Sequence, residues 1–144
     1  MFCGLWKKGS EDLSDVYDLR REVFVQEQNI PEDLEFTGDD GEYNHLVIYE
    51  NGVALATGRM SQVQDFKVHM GRICVRKDRR GERLGDFAVK IMKEKAFQDG
   101  ALEAELDAQE HAVGFYEKLG FVKEHPVDEP SGIPHWHMKA DLLK

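Results

Sequence analysis

The chain has 144 residues, with 19 Lys+Arg against 28 Asp+Glu, and a formal charge of -9 at pH 7. That is the length of about one ordinary domain. With 41% hydrophobic and 33% charged residues, the long apolar side chains spread along the whole sequence, the composition excludes an intrinsically disordered chain. No apolar run approaches the roughly 20 residues needed to cross a bilayer, and Met1 to Lys8 lack the basic-then-apolar order of a secretory signal. The expected setting is the cytoplasm, with no membrane partner.

Cys3 and Cys74 are too few for a disulfide framework and are not spaced as a zinc-binding pair, so both are expected to be free thiols. The acidic balance disfavours binding to nucleic acid and would draw in cationic small molecules if the negative charge gathers at a cleft.

In chain order, Ser10 is placed to cap a helix whose first turn holds Glu11 and Asp12. Leu13, Val16, Tyr17, Val23 and Phe24 recur at helical spacing, so one amphipathic helix is expected over 10–28, ending before Asn29-Ile30-Pro31. The acidic, aperiodic stretch from Pro31 to Asn44 reads as a loop or short irregular helix beside a site. Leu46 to Tyr49 and Val53 to Gly58, joined by Asn51-Gly52, form a hairpin pattern. A strand is expected over Val68 to Val75. A helix follows from about Gly81 to Gln98, with Leu84, Phe87, Ala88, Ile91, Met92 and Ala96 on its apolar face and Gly100 as its stop. Leu102, Ala104 and Leu106 alternate as a strand does. A short helix runs from Ala112 to Leu119, a strand starts at Phe121-Val122, and a last strand alternates through Trp136, Met138, Ala140 and Leu142. Nothing in the sequence divides it, so one domain over 1–144 is expected.

The segment from Arg76 to Arg83 packs five cations into eight positions at a strand-to-helix junction. A helix N-terminus there offers free backbone N–H groups and a positive dipole end, which suits a phosphate or pyrophosphate. Neither a Walker loop nor a Rossmann GxGxxG is present.

Arg80-Gly81-Glu82-Arg83-Leu84-Gly85 resembles the [RQ]xxGx[GA] signature of the GCN5-related N-acetyltransferases, preceded by a Val-rich strand at Ile73-Cys74-Val75. Gly114-Phe115-Tyr116-Glu117-Lys118-Leu119-Gly120-Phe121 is similar to the F-Y-x-x-x-G-F segment of that family. One position departs: Arg83 stands where the signature usually has its second glycine. Val23 to Gln28, the acidic loop to Asp40, His45 and Gly132-Ile133-Pro134-His135 are similar to the ElaA/YjcF-like bacterial branch.

The resemblance implies an α/β fold with a mixed, mostly antiparallel sheet of six or seven strands, two of them splayed to admit acetyl-CoA, flanked by helices. It implies that Ile73, Cys74 and Val75 pair with pantetheine and that Arg79, Arg80, Gly81, Glu82, Arg83, Leu84 and Gly85 cradle the pyrophosphate, with Phe115 beside the cofactor. The implied activity is acetyl transfer to a primary amine by direct attack, with Tyr116 as proton donor to the leaving thiolate. Glu27, Glu35, His45 and His135 are the candidate bases, of which Glu27 and His135 are preferred. The acidic loop suits a cationic amine, and the last strands leave a homodimer open. Two alternatives stand beside this reading: acetylation of Cys74 as a relay, and a non-catalytic acyl-CoA-binding module or sensor. His135 and His137 face the same way on a strand, but no third ligand is spaced to join them, so no metal is expected.

Overall fold

Strands form where β-branched, aromatic and small apolar residues alternate. The computed structural model, which describes residues 1–143, has seven of them in one sheet. They are β1 (Phe2–Lys8), β2 (Tyr43–Glu50), β3 (Val53–Ser61), β4 (Lys67–Val75), β5 (Glu103–Gln109), β6 (Val122–Val127) and β7 (His135–Asp141). Their spatial order is β1-β2-β3-β4-β5-β7-β6. All neighbours are antiparallel except β4 and β5, which run parallel.

Helix α1 (Ser14–Arg20) continues without a break into a wide π-helical segment, Arg21–Glu27. The other helices are α2 (Glu32–Glu35), α3 (Leu84–Gln98) and α4 (Val113–Glu117). Alternation along β2 shows how the layers divide: Val47 packs with Leu13 and Val16 of the α1 region, while Leu46 and Ile48 join the core under α3. The two helices thus cover opposite faces of the sheet. On the α3 side, Leu84, Ala88, Val89, Met92 and Ala96 meet Met60, Met70, Leu106 and Met138. Full burial of each large member of this set contributes about 1.5–3 kcal/mol, enough to fix the helix register.

One element is unexpected from the sequence, and two helix starts need correction. Residues Phe2–Lys8 form the edge strand β1, whose burial is too irregular to give a period-2 signal. The first helix starts at Ser14 instead of Ser10, because the Glu11 carboxylate turns back to accept the Lys8 N–H at 2.9 Å and Asp12 accepts the Ser14 N–H at 3.0 Å. Helix α3 starts at Leu84 and not at Gly81, because Gly81 (φ 90°) and Arg83 (φ 62°) both sit in the left-handed region. Gly100 (φ 99°) does end α3.

The feature that creates a site is the incomplete pairing of β4 with β5. The ladder runs from Lys67↔Glu103 to Met70↔Leu106 and then stops. Just beyond, β4 bulges, with Gly58 of β3 opposite both Arg72 and Ile73. The bulge bends β4 away from β5, and both strands continue with uncovered inner edges.

Candidate active site

Four segments converge on this parting: the end of β4, the turn from Arg76 to Arg83, the end of the π-helical segment, and the facing ends of β5 and β7. Alternation assigns their side chains to two faces. Ile73 and Val75 pack toward the α3 core, whereas Cys74 packs with Leu19, Val23, Phe24 and Ile30 beneath α1. On β5 and β7, Ala108 and Met138 join the α3 core, so Asp107, Gln109, His135 and His137 lie on the opposite face.

The turn offers an anion site made of backbone. Helix α3 has no side-chain cap, and its first internal bond is Phe87 N–H to the Arg83 carbonyl, so the N–H groups ahead of Phe87 are unpaired by the helix. A Cβ at Gly81 would meet nothing within 4 Å, leaving an open approach to the backbone, while Gly85 lets Phe115 press close, its Cζ 3.1 Å from where a Cβ would stand. The side chains contribute less than their number suggests. Arg79 pairs with Glu50 (2.8 Å) and Glu82 (2.6 Å), Arg83 with Asp86 (3.1 Å), and Arg76 with Asp78 (3.1 Å). Arg80 binds Glu27 through both terminal nitrogens at 2.7 Å and donates to the Val75 carbonyl from Nε (3.1 Å) and Nη2 (3.0 Å). The uncapped N-terminus and the open glycine fit a pyrophosphate, and the uncovered β4 edge at Ile73 and Cys74 fits an extended pantetheine arm, although the Val75 carbonyl is already taken by Arg80.

Tyr116 lies in the core beneath the parting, edge-on to Phe115 (5.0 Å) and Phe121 (5.8 Å). Its hydroxyl makes no hydrogen bond among the described residues, and burial pushes its pKa well above the usual phenol range, so it holds its proton. Burial likewise raises the Cys74 thiol far above its ordinary value, which makes a thiolate relay unfavourable.

Among the proposed bases, Glu27 is engaged: its hydrogen bonds to Arg80 hold its carboxyl below the usual carboxylate range. Glu35 is 2% exposed and bonded to Arg20 Nε at 2.8 Å. His45 is fully buried, donates from Nε2 to the Asp40 carbonyl (2.9 Å), and is kept neutral by burial. His135 differs. Its Nδ1–H donates to the Ile133 carbonyl (2.7 Å), which leaves Nε2 as a proton acceptor, and its β5 partner Gln109 exchanges amide hydrogen bonds with Gln28 (3.2 and 2.8 Å).

The acidic loop pairs much of its charge with arginines, while Asp33 and Glu42 stay exposed. Asp40 binds Arg20 (2.8 Å) and Arg59 (2.9 Å), Asp39 binds Arg59 (3.1 Å), and Glu32 binds Arg21 (2.6 Å). Burial opposes ionisation of Asp40, but the two guanidinium groups outweigh it and hold its carboxyl low. Apolar Ile30, Leu34 and Ile133 pack in the cluster around Cys74, and the neutral amides of Gln28 and Gln109 bond to each other. Sequence reading missed Arg72 and Gln109 as site residues; single polar residues at strand ends give no periodic signal. A surface hollow of about 710 Å³ near Gly9, Asn44 and Lys95 lies away from all of these groups and gathers no reactive side chain.

A sheet parted next to an uncapped helix N-terminus suits an extended ligand with a pyrophosphate, and the comparisons give the class of protein. The acetyltransferase (GNAT) domain model matches residues 9–142, and the chain belongs to that family. It is 36% identical over 135 residues to Bacillus subtilis YjcF, named an uncharacterized N-acetyltransferase, covering 93% of this chain and 96% of that protein. It is 33% identical over 138 residues to Escherichia coli ElaA, covering 92% and 89%. The crystal structure of ElaA superposes with a TM-score of 0.83 over 98% of this chain and 100% of that one, at 29% identity. An aminoglycoside 6'-N-acetyltransferase solved with coenzyme A shares the fold, with a TM-score of 0.75 at 12% identity over 97% and 98% of the chains.

Proposed function

We propose that this GNAT-family chain is a cytoplasmic acetyl-CoA-dependent N-acetyltransferase that acetylates a primary amine of a small molecule or peptide by direct attack in a ternary complex. The observation that carries the reading is the parting of β4 from β5 beyond Met70↔Leu106, with Tyr116 in the core on one side of the sheet and His135 on the opposite face. Acetyl-CoA supplies an activated thioester. The residues of the turn, Arg79 to Gly85, hold its pyrophosphate mainly through backbone N–H groups, and Ile73 and Cys74 offer the strand edge for its extended arm.

The chain's own groups then divide the proton work. His135 Nε2 takes the proton that the amine must lose, directly or through one water. A backbone N–H on the bulged edge near Cys74 or Val75 donates to the negative charge that develops on the carbonyl oxygen. Tyr116, still protonated at any physiological pH, gives its proton to the leaving sulfur as the C–N bond replaces the C–S bond. Glu27, paired with Arg80, takes no proton in this reaction.

The test is thiol release from acetyl-CoA by the purified protein across a panel of primary amines, with acetyl-CoA affinity measured in parallel by calorimetry. Amine-dependent thiol release is expected. Saturable acetyl-CoA binding without turnover of any amine would favour the non-catalytic module, and absence of binding would overturn both readings.

A further inference from the structure

We propose that Arg72 is the acceptor-side anion receptor, so that the amine acetylated here carries its own carboxylate and an apolar body, as an apolar amino acid does. This rests on the acetyltransferase reading above and adds the class of acceptor to it.

Arg72 is the second residue of β4 past the last β4–β5 pair, so it stands at the floor of the parting. Its backbone is in the left-handed region (φ 51°), although Gly71 beside it is the residue that would adopt that conformation without strain. The bulge breaks strand alternation here and sends the Arg72 side chain to the α1 face, where it meets α2. That is the same face as Cys74, Gln109 and His135.

The guanidinium is ion-paired with Glu35 on its Nε side but not fully hydrogen-bonded. Nη2 donates to the Glu35 carbonyl at 3.2 Å, while Nε, buried and 3.2 Å from Glu35 Oε2, makes no hydrogen bond among the described residues. Glu35 gives its closer contact to Arg20, at 2.8 Å. The side chain is 28% accessible, so part of the guanidinium beyond the buried Nε can be reached from outside. Burial weighs most against the Arg72 cation, Glu35 and Asp39 support it, and Arg59 and Arg20 oppose it; the balance lowers its pKa, so a further anion would favour the charged form. A carboxylate matches the planar fork in a way that a lone acceptor atom does not.

The surroundings complete the acceptor. Ile30, Leu34 and Ile133 supply an apolar cluster on this face, and the neighbouring carboxylates Glu27, Asp39 and Asp40 are already paired with Arg80 and Arg59. Across the parting, Asp107 stands one residue past the last pair and accepts from His137 Nδ1 at 2.8 Å, so the facing wall is suited to the ammonium end of the same molecule.

The experiment compares leucine and phenylalanine with their amides and with the corresponding decarboxylated amines as acceptors, reading kcat/KM from thiol release. The free acids are expected to be preferred by about tenfold or more, the range of a charge-assisted hydrogen-bonded pair. Arg72→Gln should bring the ratio of acid to amide close to one, mainly by raising KM for the acids, and Arg72→Lys should keep part of the preference. A merely structural role for Arg72 would lower all acceptors together and leave the ratio unchanged. Equal or better use of the amides or decarboxylated amines by the unmodified protein overturns the inference whether or not the variants fold. Acetyl-CoA calorimetry separates the two levels: loss of the acetyl-CoA binding itself removes the acetyltransferase reading and this inference with it, whereas binding without preference for the acids overturns the inference alone.

Discussion

Arg80 and Glu27 are 53 residues apart in sequence and meet through a two-pronged ion pair, both contacts at 2.7 Å, that joins the phosphate turn to the end of the first helix. Because Arg80 also holds the Val75 carbonyl, one side chain fixes the turn against the end of β4. Glu27 therefore competes with an incoming pyrophosphate for part of Arg80. Arg80→Glu should weaken acetyl-CoA binding by tenfold or more, since it removes a cation and the carbonyl anchor and adds repulsion to Glu27. Glu27→Gln should tighten it by up to about fivefold, because a partly exposed pair is worth roughly 0–1 kcal/mol. Calorimetric titration with acetyl-CoA measures both, and opposite signs for the two variants are required.

Arg83 occupies a backbone conformation that glycine adopts freely, and its side chain is 82% exposed with a surface pair to Asp86 as its main contact. Arg83→Gly should stabilise the protein by about 1 kcal/mol through relief of the left-handed strain, with the lost ion pair offsetting only part of that gain. Acetyl-CoA affinity should stay the same or rise, since the backbone N–H groups are retained. A urea midpoint shift and a binding isotherm check the two halves.

Tyr116 and His135 should separate kinetically from the cofactor site. Tyr116→Phe keeps the ring contacts to Phe115 and Phe121 and removes only the hydroxyl, so kcat should fall by about 10²–10⁴-fold while acetyl-CoA affinity is held. His135→Gln should lower kcat at neutral pH by a similar order and be partly rescued at alkaline pH, where more of the amine is neutral without help. Rates that follow acetyl-CoA affinity in either variant would remove the assigned role.

Cys74 makes stability depend on alkaline pH. Its thiol pKa is raised by burial in the folded state, so its contribution is fully present below the unfolded thiol value of about 8.5 and is lost as pH rises toward the folded value. Each pH unit above about 8.5 costs roughly 1.4 kcal/mol from this one group. Cys74→Ala should therefore show a shallower fall in stability than the unmodified protein between about pH 8.5 and 10. Denaturant melts across that window give the difference directly. Acetyl transfer should survive the substitution, since the thiol takes no part in it.

The buried network under the acceptor face is the most sensitive structural element. Arg20 is 1% exposed and binds both Glu35 and Asp40 at 2.8 Å. Arg20→Met leaves both carboxylates short of a partner and should cost about 3–5 kcal/mol. A loss under 1 kcal/mol in a urea melt would show that Arg59 and Arg72 re-pair them.

Sequence alone determined much about this protein. The Asn51-Gly52 hairpin, the period of α3 with its stop at Gly100, the alternation of β5 and β7, and the Arg80 to Gly85 and Phe115-Tyr116 motifs are local patterns, and the structure places their elements within a few residues of where periodicity put them. Local patterns suffice there because caps, turns and hydrophobic period act between near neighbours. The tertiary structure decided what each charge does. The acidic loop reads as a surface that would attract cations, yet Asp40 folds inward against Arg20 and Arg59, residues 20 and 19 positions away. The basic turn reads as excess positive charge, yet Glu27 and Glu50 reach it from other elements. Ion pairs of that separation depend on which strands lie side by side and where β4 leaves β5, and no window of sequence contains that information.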